Sequence, residues 1–209
     1  LFATDQEGET WLPNGNPRDG LNHIQRGKHY GFPPRHPEHL PDVVDEPPAV
    51  TFGPQHQSTC GLVFNESLSP GGRTFGPRLW EGDAFVCGFS RGKLWRVQLV
   101  RTPHGYVGRQ SLIAQSQMML FDAALSPHGD LLVSCHVGPP DWGVGPQGEG
   151  KLFKISFANE SLAQPVFAWA NSPIEVRVAF DHPLPPHADE VVPRIAGTTI
   201  EYGEHVRAA

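Results

Sequence analysis

A six-residue segment of the sequence occurs twice, beginning at Gly92 and again 58 positions later at Gly150. The first copy reads Gly92-Lys-Leu-Trp-Arg-Val97 and the second reads Gly150-Lys-Leu-Phe-Lys-Ile155, with apolar residues at alternate positions in both. This alternation is the period of a β-strand. Repeat units of roughly 40–60 residues that carry such strands are typical of β-propeller blades, which bury their sheet faces against one another.

Short apolar runs bounded by Gly, Pro, Asn and Asp recur along the rest of the chain, which contains 23 glycines and 22 prolines. No window of about 11 residues or more has the 3.6-residue apolar period of an amphipathic helix. We therefore predict an all-β fold. The predicted strands are residues 1–4, 21–25, 59–64, 84–89, 93–100, 108–114, 121–125, 131–136 and 151–157.

The pattern changes after about residue 164. Residues 172–184 alternate cleanly, with Ile174, Val176, Val178 and Phe180 on one face, as in a half-buried strand of a β-sandwich. We predict that residues 1–164 form about two and a half propeller blades. Residues 165–209 are predicted to begin an Ig-like β-sandwich, with residues 198–202 as its next strand.

Charge and hydropathy exclude two classes of partner. The chain has 16 Lys and Arg against 22 Asp and Glu, a formal net charge of −6, and no basic run, so a nucleic acid is not expected. No stretch approaches the roughly 18 apolar residues of a membrane helix, and the first residues do not form a signal peptide. Because the sequence opens within a predicted strand, we expect a fragment of a longer protein, inactive alone and prone to aggregate or dimerise.

Three local patterns allow a chemical and a structural interpretation. The segment from Gly88 to Gly92 matches the G-x-S-x-G motif of a hydrolase nucleophile, but a strand pattern follows it, which favours a hairpin turn. His36 and His39, with acidic residues nearby, have spacing that a zinc site could use, but the surrounding prolines favour a solvated loop. The cysteines, at positions 60, 87 and 135, lack CxxC spacing and are predicted to be buried thiols.

A family resemblance rests on Asp5-Gln-Glu-Gly8 and on the segment 21–33, which reads LNHIQRGKHYGFP. These segments resemble the glucose/sorbosone dehydrogenase family, the soluble quinoprotein sugar dehydrogenases, which are six-bladed β-propellers. Segments 89–96 and 121–130 fit later blades of that family in the right order. The resemblance covers about residues 1–157, and segments 55–62 and 136–143 look like a divergent bacterial branch that is often fused to Ig-like and c-type haem domains.

The resemblance implies a chemistry and a location. The family binds pyrroloquinoline quinone (PQQ) through calcium and oxidises a sugar or polyol with a histidine base, which would lie upstream of this chain. Electrons would pass to an acceptor such as a c-type cytochrome domain, in the periplasm or outside the cell. By resemblance, Gln6, Glu7 and Gly8 fall at the calcium and cofactor site, Tyr30 at a metal-site position and Arg91 at the cofactor.

This sequence also departs from the family pattern. The cationic residues that hold the quinone carboxylates would fall at or beside Ser90 and near Met119 and Phe121, none of which carries a charge. Gly20 stands where an acid of a structural calcium site is expected. An alternative function, a non-catalytic propeller that binds a carbohydrate or a protein, therefore stays open.

Four further residues are candidates for contacts with a substrate. His56 and His136 lie at the ends of predicted strands, where propeller loops gather over the central channel, and Asp5 and Asp141 belong to neighbouring loops. Polar side chains beside an aromatic ring suit sugar recognition, because hydroxyl groups need donors and acceptors and a ring stacks on C–H faces. Packing between blades is the structural alternative for His136.

Overall fold

The protein is all-β in the computed structural model, which describes residues 1–6, 18–30, 46–53, 56–138, 149–158, 163–181, 183–184, 198–201 and 204–207. Only two short 3-10 turns, Arg78–Trp80 and Phe89–Arg91, interrupt the strands among these residues, and none of the described helices is long enough to cross a membrane. The strands are Phe2–Asp5 (β1), Gly20–His23 (β2), Val50–Thr51 (β3), Thr59–Phe64 (β4), Ala84–Gly88 (β5), Lys93–Thr102 (β6), Gly105–Gln115 (β7), Met119–Leu125 (β8), Leu131–His136 (β9), Lys151–Ile155 (β10), Pro165–Ser172 (β11), Glu175–Phe180 (β12), Thr198–Glu201 (β13) and Glu204–Arg207 (β14).

The first compact unit, Leu1–Glu160, contains three antiparallel sheets built from consecutive strands. Their orders are β1-β2-β3, β4-β5-β6-β7 and β10-β9-β8. The two copies of the sequence repeat form β6 and β10, which pair with the preceding strand of their sheets in the same way: Trp95 faces Val86, and Phe153 faces Val133. The sheets are consistent with propeller blades, as the repeat predicts.

The second unit, Ser161–Ala209, contains two separate hairpins, β11-β12 and β13-β14. The strand predicted within 172–184 is confirmed over Glu175–Phe180 only, because the chain turns after Ser172 and these residues pair back on Pro165–Ser172. The sequence pattern missed β11 because most of its residues are exposed and its apolar residues do not alternate. The Ig-like identity of this unit stays a prediction.

Two apolar clusters fill the first unit. The cluster between the second and third sheets includes Phe85, Leu94 and Val133, which are at most 1% exposed. The cluster between the first and second sheets includes Leu21 and Phe52, which are fully buried. Each cluster takes side chains from two sheets, so neighbouring sheets bury each other's faces.

The inner strands of neighbouring sheets approach closely. Thr4 Oγ1 in β1 donates a hydrogen bond of 2.6 Å to the carbonyl of Cys60 in β4. On the other side of β4, a Cβ atom on Gly61 would lie 2.5 Å from Cα of Asp122 and 2.9 Å from the carbonyl oxygen of Phe121 in β8. Gly61 is therefore required by the spacing between two sheets.

The three cysteines are free thiols at the larger cluster; Cys87 and Cys135 are buried, as the sequence predicts, whereas Cys60 is partly buried. Burial raises the pKa of Cys60 to about 11, and the charge of Asp122 adds to the effect. Burial also raises the pKa values of Cys87 and Cys135. Since the thiolate is the reactive form, these cysteines are chemically inert at neutral pH.

We expect Gly61→Ala to lower the free energy of unfolding by about 1–3 kcal/mol, because the new methyl group would meet backbone atoms that cannot move away independently. The measurement is urea denaturation of the purified protein. Gly53→Ala is the control, because the added methyl would meet only the flexible side chain of Arg18 and should cost little. Equal effects of the two substitutions would contradict the close approach of the sheets at Gly61.

The partly buried thiol of Cys60 should make stability depend on alkaline pH. Its pKa is about 11 in the folded protein and about 9 when exposed, so the unfolded chain loses this proton first as pH rises. Its contribution to the free energy of unfolding is constant below pH 9 and declines from pH 9 toward 11. Urea denaturation across this pH range should show that the free energy of unfolding declines less steeply in Cys60→Ala than in the wild type. Parallel curves of this free energy against pH for the two proteins would contradict the raised pKa of Cys60.

Candidate functional site

The 3-10 turn Phe89–Arg91 joins β5 to β6 and lies against the segment that precedes β4. The amide of Phe89 donates to the carbonyl of Ser58 at 3.2 Å, and the amide of Ser90 donates to the carbonyl of Gln57 at 3.1 Å. Nε of Arg91 donates to the carbonyl of His56 at 3.3 Å. Two loops at one end of the second sheet thus form one hydrogen-bonded layer, which we call the β5-β6 face.

A buried carboxylate organises this layer. Asp19, immediately before β2, is fully buried, and its Oδ2 accepts hydrogen bonds from the amides of Gln57 at 2.9 Å and Thr59 at 3.1 Å. Its Oδ1 lies 3.1 Å from Nδ1 of His56. Two amide hydrogen bonds and the contact with the imidazole satisfy a carboxylate that would otherwise be costly to bury.

The imidazole of His56 is held at both ring nitrogens. Because the carboxylate of Asp19 only accepts, we assign the proton in that contact to Nδ1, and in the neutral ring Nε2 then accepts from the hydroxyl of Ser58 at 3.0 Å. The side chain of His56 is 23% exposed, whereas Ser58 is 2% exposed. Asp19, His56 and Ser58 therefore form a continuous hydrogen-bonded chain in which both ends are buried and only the imidazole in the middle is partly exposed.

Several sequence-predicted residues converge on the β5-β6 face. His56 and Arg91 are joined directly, and the carbonyl of Asp5 accepts a bond of 3.1 Å from Oγ1 of Thr59, beside the same layer. The ring of His136 packs against the ring of Phe89, which belongs to this layer, with the two ring centroids 5.8 Å apart. Residues from four separate segments of the sequence thus meet at one end of the sheets.

An aromatic surface borders the convergent polar groups. The ring of Phe121 lies edge-to-face on Phe89, with centroids 6.0 Å apart, and Phe121 is 57% exposed. His136 packs on the same phenylalanine, and its Nδ1 lies 2.8 Å from the carbonyl of Val137. This surface offers a phenyl face, an imidazole and the nearby guanidinium of Arg91.

Other predicted site residues lie elsewhere or outside the described residues. Gln6 is exposed just after β1, while Glu7, Gly8 and Asp141 are outside the described residues, as are His36 and His39 of the zinc alternative. The hydroxyl of Tyr30 accepts from the amide of Gln25 at 2.7 Å and donates to the carbonyl of His23 at 2.8 Å, which closes the loop after β2. In the part of the chain that the structure describes, no group of three His, Cys, Asp or Glu residues is arranged to bind a metal.

The described residues do not fit a clamp for the carboxylates of a quinone. Ser90 and Met119, at two of the positions where the resemblance places cations, are 2% and 3% exposed, and Phe121 is a phenyl ring. Arg91 is the cation nearest these positions, and its Nε is bonded to a backbone carbonyl. Bidentate recognition of carboxylates needs cationic donors, which Ser90, Met119 and Phe121 do not supply.

Sequence analysis missed two members of the hydrogen-bonded chain. Asp19 precedes a short strand, Ser58 precedes another, and neither residue belongs to a sequence motif. The G-x-S-x-G motif forms the 3-10 turn between antiparallel strands, with Gly92 in the left-handed region at φ 60°, which confirms the predicted turn and excludes a strand-to-helix nucleophile motif. A positive φ of 51° at Ser58 is visible only in the structure.

The sequence matches no protein-family model and no curated protein. Among solved structures, the chain is similar to a crystal structure from Thermus thermophilus that is described as a candidate oxidoreductase (glucose dehydrogenase). The two are 21% identical, the match covers 74% of this chain and 41% of that chain, and the TM-score is 0.48. This chain therefore spans less than half the length of that neighbour.

Asp19→Ala should lower the free energy of unfolding by about 2–4 kcal/mol, because it leaves the amides of Gln57 and Thr59 without their shared acceptor. Thermal and urea denaturation would measure the loss. Glu66→Ala removes a carboxylate at an exposed position and should change stability little. A loss no larger than that of the Glu66 variant would contradict the anchoring role of Asp19.

Proposed function

We propose that this chain belongs to an oxidoreductase of the sugar dehydrogenase type and supplies part of its substrate site at the β5-β6 face. The observation that carries the proposal is the convergence of Asp5, His56, Arg91 and His136, four residues selected from the sequence, around the Phe89–Arg91 turn. A sugar or polyol is the proposed substrate, and the proposed location is periplasmic or secreted.

The chemistry of this face suits a hydroxylated ring. The guanidinium of Arg91, oriented by the carbonyl of His56, offers donors to hydroxyl oxygens. The imidazole of His136 can exchange a hydrogen bond with a hydroxyl group, and the exposed ring of Phe121 can stack on C–H groups. Together they provide the mixture of directional polar contacts and apolar area that sugar sites use.

PQQ with calcium is the cofactor that the family resemblance implies, and it would accept the hydride of the substrate. Its carboxylates would need cations other than those at Ser90, Met119 and Phe121, since these positions carry none. The calcium positions Glu7 and Gly8 lie outside the described residues, and a c-type cytochrome domain remains the proposed electron acceptor. We therefore propose roles in substrate binding for the described residues and no role for them in holding the cofactor.

A second candidate function is a non-catalytic propeller that binds carbohydrate. The observation that favours it is the replacement of the cationic positions by two buried neutral side chains and one exposed phenyl ring. Such a surface keeps the sugar-recognising groups and lacks the groups that would hold an anionic cofactor. Both candidate functions use the same face, so one set of variants tests them together.

The test is calorimetric titration of the full-length protein with PQQ, with and without calcium, followed by a sugar and polyol screen with a dye acceptor. Calcium-dependent binding at micromolar or lower Kd, together with dye reduction, would support the oxidoreductase. Sugar binding without PQQ binding would instead support the carbohydrate-binding candidate. If the protein binds neither PQQ nor any sugar or polyol, both proposals are overturned.

Variants of the β5-β6 face should locate the sugar. Phe121→Ala is expected to weaken sugar binding by about tenfold, because it removes the stacking surface. Phe167→Ala is the matched control: Phe167 is 56% exposed, nearly the same as Phe121, but lies in the second unit. Equal effects of the two substitutions in the titration would contradict the proposed location.

A further inference from the structure

We propose that Asp19, His56 and Ser58 form a serine-nucleophile triad that accepts an acyl group from a small carboxylic ester. Neither the predicted dehydrogenase chemistry nor the carbohydrate-binding alternative assigns this activity. The proposal is independent of both, because it depends on a different set of atoms from those that would contact a sugar.

The hydrogen-bond chain has the connectivity that nucleophilic catalysis needs. Oδ1 of Asp19 lies 3.1 Å from Nδ1 of His56, and Nε2 of His56 lies 3.0 Å from Oγ of Ser58. A base within hydrogen-bond reach of a hydroxyl, and itself oriented by a third group, is the diagnostic arrangement of an activated serine. The triad is recognised by this geometry and not by the order or spacing of its residues.

The surroundings of Asp19 hold this arrangement in place. Asp19 is fully buried, and its other oxygen, Oδ2, is bonded to the amides of Gln57 and Thr59, on either side of Ser58. The carboxylate therefore fixes the backbone that carries the serine as well as the ring that would accept its proton. Preorganisation of this kind lowers the cost of reaching the reactive geometry.

The backbone of Ser58 supplies a second, independent observation. Its φ of 51° is the only positive value found at a non-glycine residue in the described part of the chain. Such a conformation is costly for a residue with a side chain, and residues that retain it cluster at functional sites. Serine nucleophiles on sharp strand-associated turns are held in strained backbone conformations that present the hydroxyl.

The proposed reaction balances without a cofactor. Oγ of Ser58 forms a bond to the ester carbonyl carbon while its proton passes to Nε2 of His56. The bond from that carbon to the alcohol oxygen then breaks, and the departing oxygen takes the proton from His56. Water, activated by the same nitrogen, hydrolyses the acyl-serine and releases the carboxylic acid. His56 and Ser58 are the catalytic residues, and Asp19 is a positioning residue.

The burial of Ser58 defines the class of substrate. Ser58 is 2% exposed, whereas the adjoining His56 side chain is 23% exposed, and this burial favours an ester with a compact acyl group. The proposed substrate is therefore an acetyl ester and not a long-chain or bulky acyl ester. p-Nitrophenyl acetate is therefore the substrate probe, and methanesulfonyl fluoride, whose sulfonyl group carries only a methyl, is the covalent probe.

The full-length protein would be incubated with each probe, and the adduct would be located by intact mass and peptide mapping. We expect stoichiometric modification at Ser58. Ser58→Gly should fold, because glycine tolerates a positive φ, and should abolish the adduct. Ser90→Ala is the matched control, since Ser90 is also 2% exposed but its Oγ has no hydrogen-bond partner among the described residues, and this variant should be labelled like the wild type.

The roles of the other two residues require kinetics. His56→Gln should slow acylation by about 100-fold or more, because the proton acceptor is lost. Asp19→Asn should slow acylation and also move the midpoint of the rate–pH profile to lower pH, because the protonated ring loses its carboxylate partner. A merely structural role for Asp19 would change the melting temperature and leave that midpoint unchanged.

Three results would overturn the proposal. The first is the absence of an adduct at Ser58 in folded wild-type protein after prolonged exposure to methanesulfonyl fluoride. The second is an adduct that forms equally fast in His56→Gln, which would mean that the imidazole does not activate the serine. The third is equal labelling of Ser58 and Ser90, which would mean nonselective sulfonylation.

Discussion

The buried carboxylate of Asp19 holds the first and second sheets in register at the candidate site. It lies at the start of β2, yet its partners, His56, Gln57 and Thr59, precede or begin β4. In a low-dielectric interior a carboxylate is stable only when its oxygens are bonded, so these contacts must form together or not at all. The loop before β4 then fixes the Phe89–Arg91 turn, because its carbonyls accept two hydrogen bonds from backbone amides of the turn. Every polar group of the β5-β6 face is positioned by this sequence of contacts.

Much of the fold could be predicted because strand period and turn residues are local properties. The predicted strands 59–64 and 131–136 agree with the structure, and the repeated segments at Gly92 and Gly150 occupy matching positions in two sheets. The strand predictions failed where a strand forms because it pairs with a neighbouring strand and not because of its own residue pattern. β11 is largely exposed and could form only by pairing with β12, which no periodicity in its own residues indicates.

The candidate site was less predictable because it depends on contacts between distant segments. Position at strand ends was enough to select His56 and His136, since loops at one end of neighbouring sheets must lie near each other. Sequence spacing could not reveal that Asp19 and Ser58 form hydrogen bonds with the two ring nitrogens of His56. It could indicate a loss of cations at Ser90 and Met119, but their burial became clear only with the three-dimensional structure.

The simple up-and-down order of the strands has a kinetic consequence. Every pairing in the three sheets of the first unit joins strands that are consecutive in the sequence, and such local contacts favour fast folding. The contact of Asp19 with His56 instead closes a separation of 37 residues and carries a larger entropic cost. The sheets can therefore form before the carboxylate engages its partners. Completion of the β5-β6 face would then be a late event, and its local opening could occur while the sheets remain intact.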